Sequence, residues 1–588
     1  MKQFFKTMFA STFGALIAMI IMSVLTIFLI IGLIASTSLE TAYTPPTNTV
    51  FKLTLKGSIS DNVTENPIAE FFGEKKNLSL SKILKAIRIA KNNNNIKGIY
   101  IEAGGVSASP ATMEEIRRAL QDFKTSGKFL IAYGDYYGKG EYFLCSVADS
   151  VFVNPIGLVD LSGFASFGMF YTNLAKKIGV EPYIFKVGTY KGAVEPYFLK
   201  KFSDENREQI SSYLGSVWDN VLLTISESRN ISVDSLNYFA DNGFTLDKTD
   251  LLLEYNLVDG LYYKREVEDL VKVIAGQSGN KLEVAGVNKI SRVEEREQLK
   301  ENKITILYAE GTIMESSSNP LFSGSEPVID EKVGTELRKL RDDYKVKAVV
   351  FRVNSPGGSA YISEQVWKAV EDVKAVKPIV VSMGGYAASG GYYISCGANK
   401  IVAEKTTLTG SIGVFGVFPN MTGLFDKIGI TTDVVKTNKY SDLGDTSRPM
   451  RDDEKAFIQK SVERTYDLFI TRCAEGRGMS KEQIDAIGQG RVWTGEQALE
   501  RGLVDRLGGI DVAVEEAAAL AQVTDYSVNV ANADKDFFQE YIEKQMEEIK
   551  MGFVENVLGD DFEVFKAIKR AKSETGIQAR MPYEVLNF

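Results

Sequence analysis

The sequence predicts an α/β protein built from two tandem copies of one layered unit behind an N-terminal transmembrane helix. Three observations predict it. Short β-rich apolar runs alternate with stretches of helical spacing, the pattern of parallel strands covered by helices. Residues recur at a fixed spacing of 250 positions, with Gly134, Tyr136, Gly140 and Tyr142 matching Gly384, Tyr386, Gly390 and Tyr392. No charged residue lies between Lys6 and Glu40.

Residues 1–7 carry Lys2 and Lys6 and read as a cytoplasmic N-terminus. Residues 8–36 read as the anchor. The uncharged run from Met8 to Ala35 exceeds the roughly 20 residues that a helix needs to cross a bilayer. It also exceeds the roughly 7–15 apolar residues of a cleavable signal peptide, although a long signal peptide cut near Ala35–Ser38 is the competing reading. Residues 37–48, which include Pro45 and Pro46, read as a polar tether.

Residues 49–261 read as the first α/β domain, with strands in "VFKLTLKGSI", "GIYIEA", "FLIAYG" and "SVFVNP". A long helix follows, opened by Ser203 with Asp204 and Glu205. Residues 262–303 are charged and read as a bridge. Residues 304–523 read as the second domain, with strands in "ITILYAEGTI", "AVVFRV", "PIVVSM" and "KIVAEK" and a helix in "SEQVWKAVEDVKA". The register of the copies runs through Lys97 and Lys347, Glu114 and Glu364, Gly163 and Gly413, Lys186 and Lys436, and Tyr190 and Tyr440. Residues 524–588 read as a helical tail that caps or packs.

Composition narrows the chemistry. A chain of 588 residues exceeds one core, and 44% apolar with 25% charged residues is ordinary for globular domains. A net charge of −9 argues against a nucleic-acid partner. Three cysteines give no disulfide framework and no CxxC knuckle. The chain has no histidine, which removes Ser-His-Asp and Cys-His catalysis. The sequence shows no cluster of carboxylates and cysteines fit for zinc, so neither a metal nor an organic cofactor is expected.

The informative positions are those where the copies differ. Ser389, in "MGGYAASGGYYIS", faces Lys139 in the first copy. "NSPGG" at 354–358 faces "GGVSA" at 104–108, so the pair Gly357 and Gly358 is unmatched. Conversely, Lys191 in "GTYKGAVEP" faces Ser441. A lysine can replace histidine as general base when burial keeps its amine neutral, because a working base needs a pKa of about 7–8 rather than about 10.4. The pattern leads us to expect Lys191 to reach Ser389 across the seam between copies. Lys139, Lys186, Lys436 and Lys439 are rival bases, and Lys439 shares its copy with Ser389. Gly357 and Gly358 follow a proline at a strand end, where a turn could aim backbone N–H groups at an oxyanion, and Gly390 follows the serine. Read singly, Ser389 could serve close packing, "SPGG" a plain turn and Lys191 a solvated charge.

Together "NSPGGSA", "MGGYAASGGYYIS", "TGSIGVFG" and "VGTYKGAVEP", with the anchor and the tandem organisation, resemble the long two-domain form of signal peptide peptidase A, or protease IV. The resemblance runs from Met1 to about Val523. It implies a crotonase-like, Clp-protease-like fold in each half, Ser389 as nucleophile and Lys191 as general base. It further implies that Ser411 orients the lysine and that Gly357 or Gly358, with Gly390, forms the oxyanion hole. It also implies a homotetramer on the periplasmic face of the bacterial inner membrane, single-pass with its N-terminus inside, that degrades cleaved signal peptides and other apolar peptides. Two other readings compete: a non-catalytic crotonase-like membrane scaffold and an acyl-CoA enzyme. An exported domain argues against the second, since coenzyme A is cytoplasmic.

Overall fold

The computed structural model describes residues 42–62, 78–293, 300–315, 328–531 and 576–581, with short helical pieces at 6, 12–14, 17–19 and 21–22. The anchor expected at 8–36 and the helical tail expected at 524–588 lie mostly outside the described residues, and the described parts of the tail include two strands, Ser527–Val530 and Gly576–Arg580, rather than helix. Among the described residues no helix is long and apolar enough to cross a membrane.

The strands form three sheets. The first orders Leu78–Ser79, Thr49–Ser60, Ile96–Ser107, Phe129–Gly134, Ser150–Val153 and Gly260–Leu261, all in parallel, with Val284–Gly286 also paired to Thr49–Ser60. Its central strands are continuous apolar runs such as Ile99, Tyr100 and Ile101, as a parallel sheet covered on both faces requires. The second half repeats the plan. Val346–Ser355, Ile379–Ala388 and Lys400–Ala403 start 250 positions after their first-half counterparts and pair in the same order. The covering helices Pro110–Lys124 and Ala360–Lys374 obey the same offset, and each is capped by a serine, Ser109 or Ser359, that accepts from a backbone N–H of the first turn.

Two regions differ from the sequence reading. The charged stretch at 262–303 packs onto the first sheet. Its helix Lys264–Ile274 turns Val267 and Val271 against Val50, Tyr100 and Ile131, and strand Val284–Gly286 extends the sheet. Its charges occupy the outer face of an amphipathic helix, which explains why composition alone suggested a linker. The helix Ile510–Leu520 and strand Ser527–Val530 do the same for the second half.

The third sheet is mixed and belongs to neither copy alone. Its order is Val328–Ile329, Thr312–Ile313, Gly357–Ser359, Gly576–Arg580, Val414–Asn420 and Glu181–Val187. The last strand comes from the first half and pairs antiparallel with Val414–Asn420, from Val414 opposite Val187 to Asn420 opposite Glu181. That ladder carries the chain of one half onto the other.

The seam is also tied by buried charges. Arg352 donates to both Asp61 oxygens at 3.1 and 2.9 Å and to Glu115 at 2.8 Å. All three side chains are about 1% exposed. Burial alone would push the Arg352 guanidinium down, but Asp61 and Glu115 more than offset it. Beside them burial, with the Asp61 charge, pushes the Glu310 carboxyl up to about 7.

Candidate active site

The crossing strand Glu181–Val187 runs directly into the loop that carries Lys191. Three features fix that loop. Gly188 has φ of 115°, and a Cβ there would lie 2.7 Å from the Gln489 backbone. The Tyr190 N–H donates to the Gln489 carbonyl at 2.9 Å. Gln209 donates to the Tyr190 carbonyl at 2.8 Å and accepts from the Val492 N–H at 3.1 Å, joining the halves behind the lysine. Glu195, itself buried, accepts from Asn206 at 2.8 Å and holds the start of the long helix Asp204–Arg229 against this loop.

The result is a fully buried contact. The Lys191 Nζ lies 2.7 Å from Ser389 Oγ, 3.1 Å from Ser411 Oγ and 3.0 Å from the Ser411 carbonyl oxygen. All three residues are 0% exposed. Burial pushes the Lys191 amine well below the ordinary lysine value. The sequence-expected seam between the copies thus brings Lys191, Ser389 and Ser411 together within one chain.

Ser389 stands where strand Ile379–Ala388 turns into the short helix Gly390–Tyr393. Its φ is 56°, in the left-handed region that favours glycine, so the hydroxyl is displayed on a strained elbow. Its N–H is held by the Gly410 carbonyl at 2.8 Å. Ser411 is likewise left-handed, with φ of 49°. Gly357 and Gly358 have φ of 97° and 154°, and a Cβ on Gly358 would sit 1.9 Å from the Ile313 carbonyl oxygen. The Gly357 N–H is occupied by Ser355 Oγ at 3.1 Å. A Cβ on Gly357 would lie 2.7 Å from the Gly390 nitrogen, so the two glycine segments face each other beside the serine.

The rival lysines are elsewhere. Lys439 is exposed and paired with Asp453 at 2.5 Å, which pushes its amine up, the wrong direction for a base. Lys139 is paired with Asp160 at 2.6 Å, and Lys436 with Asp442 at 3.0 Å. Lys186 lies over the Phe198 ring. Sequence reasoning missed Ser355, Gln209 and Glu195. No copy-to-copy contrast singled them out: Ser355 acts on Gly357 two residues on and Glu195 on Asn206, while Gln209 meets Val492 only through the fold. Among the described residues no group of histidine, cysteine and carboxylate side chains could hold a metal.

A buried hydroxyl against a desolvated amine, in a two-lobed α/β chain, is the arrangement of the serine peptidase class. Within that class the chain belongs to peptidase family S49, whose description matches residues 122–277 and again residues 371–524. The double match is the duplication seen in the fold. Protease 4 of Salmonella typhi is 38% identical over 483 residues, 81% of this chain and 75% of that protein. Protease 4 of Haemophilus influenzae is 34% identical over 511 residues, 81% of this chain and 80% of that one. The chloroplastic serine protease SPPA of Arabidopsis thaliana is 31% identical over 544 residues, 90% of this chain and 77% of that protein.

Proposed function

We propose that this peptidase hydrolyses apolar peptides, cleaved signal peptides among them, with Ser389 as nucleophile and Lys191 as general base. The observation that carries the reading is the 2.7 Å contact between a desolvated amine and a hydroxyl in a chain without histidine. A neutral amine has two N–H donors and one lone pair. The two donors satisfy the Ser411 carbonyl and hydroxyl, which leaves the lone pair directed at Ser389 Oγ–H. As Oγ attacks a peptide carbonyl, Lys191 takes the proton and then gives it to the leaving amine. Water resolves the acyl-enzyme by the same route in reverse. The oxyanion is stabilised by the N–H groups of Gly358 and Gly390, because the Gly357 N–H is held by Ser355.

Attachment to a membrane and assembly with copies of itself belong to the same reading. The uncharged stretch from Met8 to Ala35 would anchor the chain, with the peptidase domains on the periplasmic side of a bacterial inner membrane. Assembly is supported by the copy symmetry. Residues 181–187 pair with 414–420, yet their counterparts, 431–437 and 164–170, are left without a strand. These carry exposed apolar side chains, among them Val435 at 97% and Phe167 at 84%. Pairing the 431–437 stretch of one chain with the 164–170 stretch of the next gives a head-to-tail contact, which closes into a ring such as a tetramer.

The test is digestion of a model leader peptide by the wild-type chain and by Ser389→Ala and Lys191→Ala, with products identified by mass spectrometry. The expected result is cleavage by the wild type alone, with fluorophosphonate labelling that disappears in Ser389→Ala. Full turnover by Lys191→Ala would overturn the assignment of the base.

A further inference from the structure

The half that carries the nucleophile also carries two of the three cysteines, Cys396 and Cys473, and both are fully buried free thiols. Neither takes part in the catalytic contact. Cys396 lies just beyond the short helix Gly390–Tyr393 that Ser389 opens, and its thiol donates back to the Tyr393 carbonyl at 3.2 Å. Cys473 belongs to the long helix Asp452–Arg477, which packs on this elbow. Phe469, Cys473 and Gly476 are spaced four and three residues apart, so they share one helix face. The Phe469 ring lies against that of Tyr393, with centroids 4.5 Å apart. At Gly476 the helix comes so close that a Cβ would lie 2.0 Å from the Cys396 carbonyl oxygen. Cys473 stands between these two contacts, and its thiol is a hydrogen-bond partner of Cys396. Burial, and after it that bond, pushes the Cys473 thiol well up. The first half has no such pair. Ser146 stands at the position of Cys396 and accepts from Arg117 at 2.9 Å, and Ile225 takes the helix position of Cys473.

We propose that Cys396 and Cys473 are a disulfide site, closed as the chain folds in an oxidising compartment, which pins the long helix to the nucleophile elbow. The inference rests on the proposed placement of the peptidase domains on the periplasmic side of a membrane, where disulfides persist. The oxidant is a second disulfide, that of oxidised glutathione or of a thiol–disulfide oxidoreductase. The Cys396 thiol loses its proton and attacks one sulfur of that disulfide, which gives a mixed disulfide and releases the other sulfur as a thiol. Cys473 then loses its proton and attacks Cys396 Sγ, which releases the second thiol. Two electrons and two protons pass from the cysteines to the oxidant. Exchange needs an accessible thiolate, so it precedes closure of the core, and burial afterwards shields the bond from reductant. The two sulfurs are already partners in the fold, so the bond needs no segment brought from elsewhere. The loop it closes contains Ser411 and the strand Val414–Asn420, which hold Lys191 and the strand that leads to it. A long closed loop is where a cross-link most restrains the unfolded chain.

The experiment counts free thiols in the full-length chain, isolated from membranes after acid quenching, by maleimide labelling in denaturant before and after reduction with dithiothreitol. The expected result for the wild type is one label, on Cys145, rising to three on reduction, with a peptide carrying Cys396 joined to one carrying Cys473 in the unreduced digest. Cys396→Ser, which installs the residue the first copy carries there, should take two labels with or without reductant. The same count is made on wild-type chain denatured, reduced and refolded in detergent with a glutathione redox buffer. Three labels without reductant in both preparations would overturn the bond. Three labels from membranes but one after refolding would uphold the bond and overturn the placement in an oxidising compartment. A single label on unreduced Cys396→Ser would show that Cys473 pairs with Cys145 and overturn the assignment. Digestion of the leader peptide by the same samples reads the proposed peptidase activity separately.

Discussion

Residues 181–191 and residues 431–441 are the same stretch of the repeat, and the molecule uses them in opposite ways. In the first half the stretch forms a strand on the other half and ends in a buried lysine. In the second it forms no strand, Val435 is exposed, and Ser441 stands where the lysine would be. The same contrast runs through the elbow, where Ser389 is buried against an amine while Lys139 pairs with Asp160. Duplication thus produced two frameworks and one site. The lesson is physical. A base must be desolvated to be neutral, and the seam between two packed copies offers a desolvated place that neither copy has alone.

The comparison can be broken most directly at the dyad. Ser389→Ala and Lys191→Ala should each lower turnover of a leader peptide on the order of 10⁴-fold or more. The mirror variants Lys139→Ala and Ser441→Ala should stay within about twofold, and adding Ser441→Lys to the Lys191→Ala chain should restore nothing. The seam comes next. Arg352→Met leaves two buried carboxylates without their cation and should destabilise the fold by about 3–5 kcal/mol in denaturant unfolding. The mirror residue is Glu102, which is partly exposed and paired with Lys52 at 2.8 Å, so Glu102→Gln should cost about 1 kcal/mol or less.

Smaller effects sharpen the electrostatics. Ser411→Ala removes one acceptor of the lysine N–H groups, a loss of about 1 kcal/mol that should slow turnover roughly fivefold. Activity should rise with pH as Lys191 loses its proton, with the acid limb below the ordinary lysine range because burial lowers that amine. Lys191→Arg, always protonated, should be inactive at every pH. The last effect concerns Glu310, whose folded pKa is raised from 4.5 to about 7. The folded state then holds a proton that the unfolded state has lost. Its contribution to stability is complete below 4.5 and is lost as pH rises through about 7. Thermal unfolding should show stability falling across that window, and Glu310→Gln should flatten the dependence.

The duplication was legible because identical residues at one spacing survive any folding. The repeated strands were legible because parallel strands covered on both faces are apolar throughout, as in "AVVFRV". The elbow serine and the glycine pair stood out through contrast between copies. The charged stretch from 262 was misread as a bridge because an amphipathic helix on a sheet shows water half of its residues. The mixed sheet escaped notice because its strands, at 181, 357, 414 and 576, come from distant segments with no local pattern to link them.

The sequence by itself determined that a catalytic serine here must work without imidazole, and that two copies had diverged in complementary ways. Only the tertiary structure decided which amine meets the hydroxyl and which glycine N–H is held by Ser355. Counting and register are properties of the covalent chain. Desolvation and hydrogen-bond reach exist only once segments far apart in sequence share one interior.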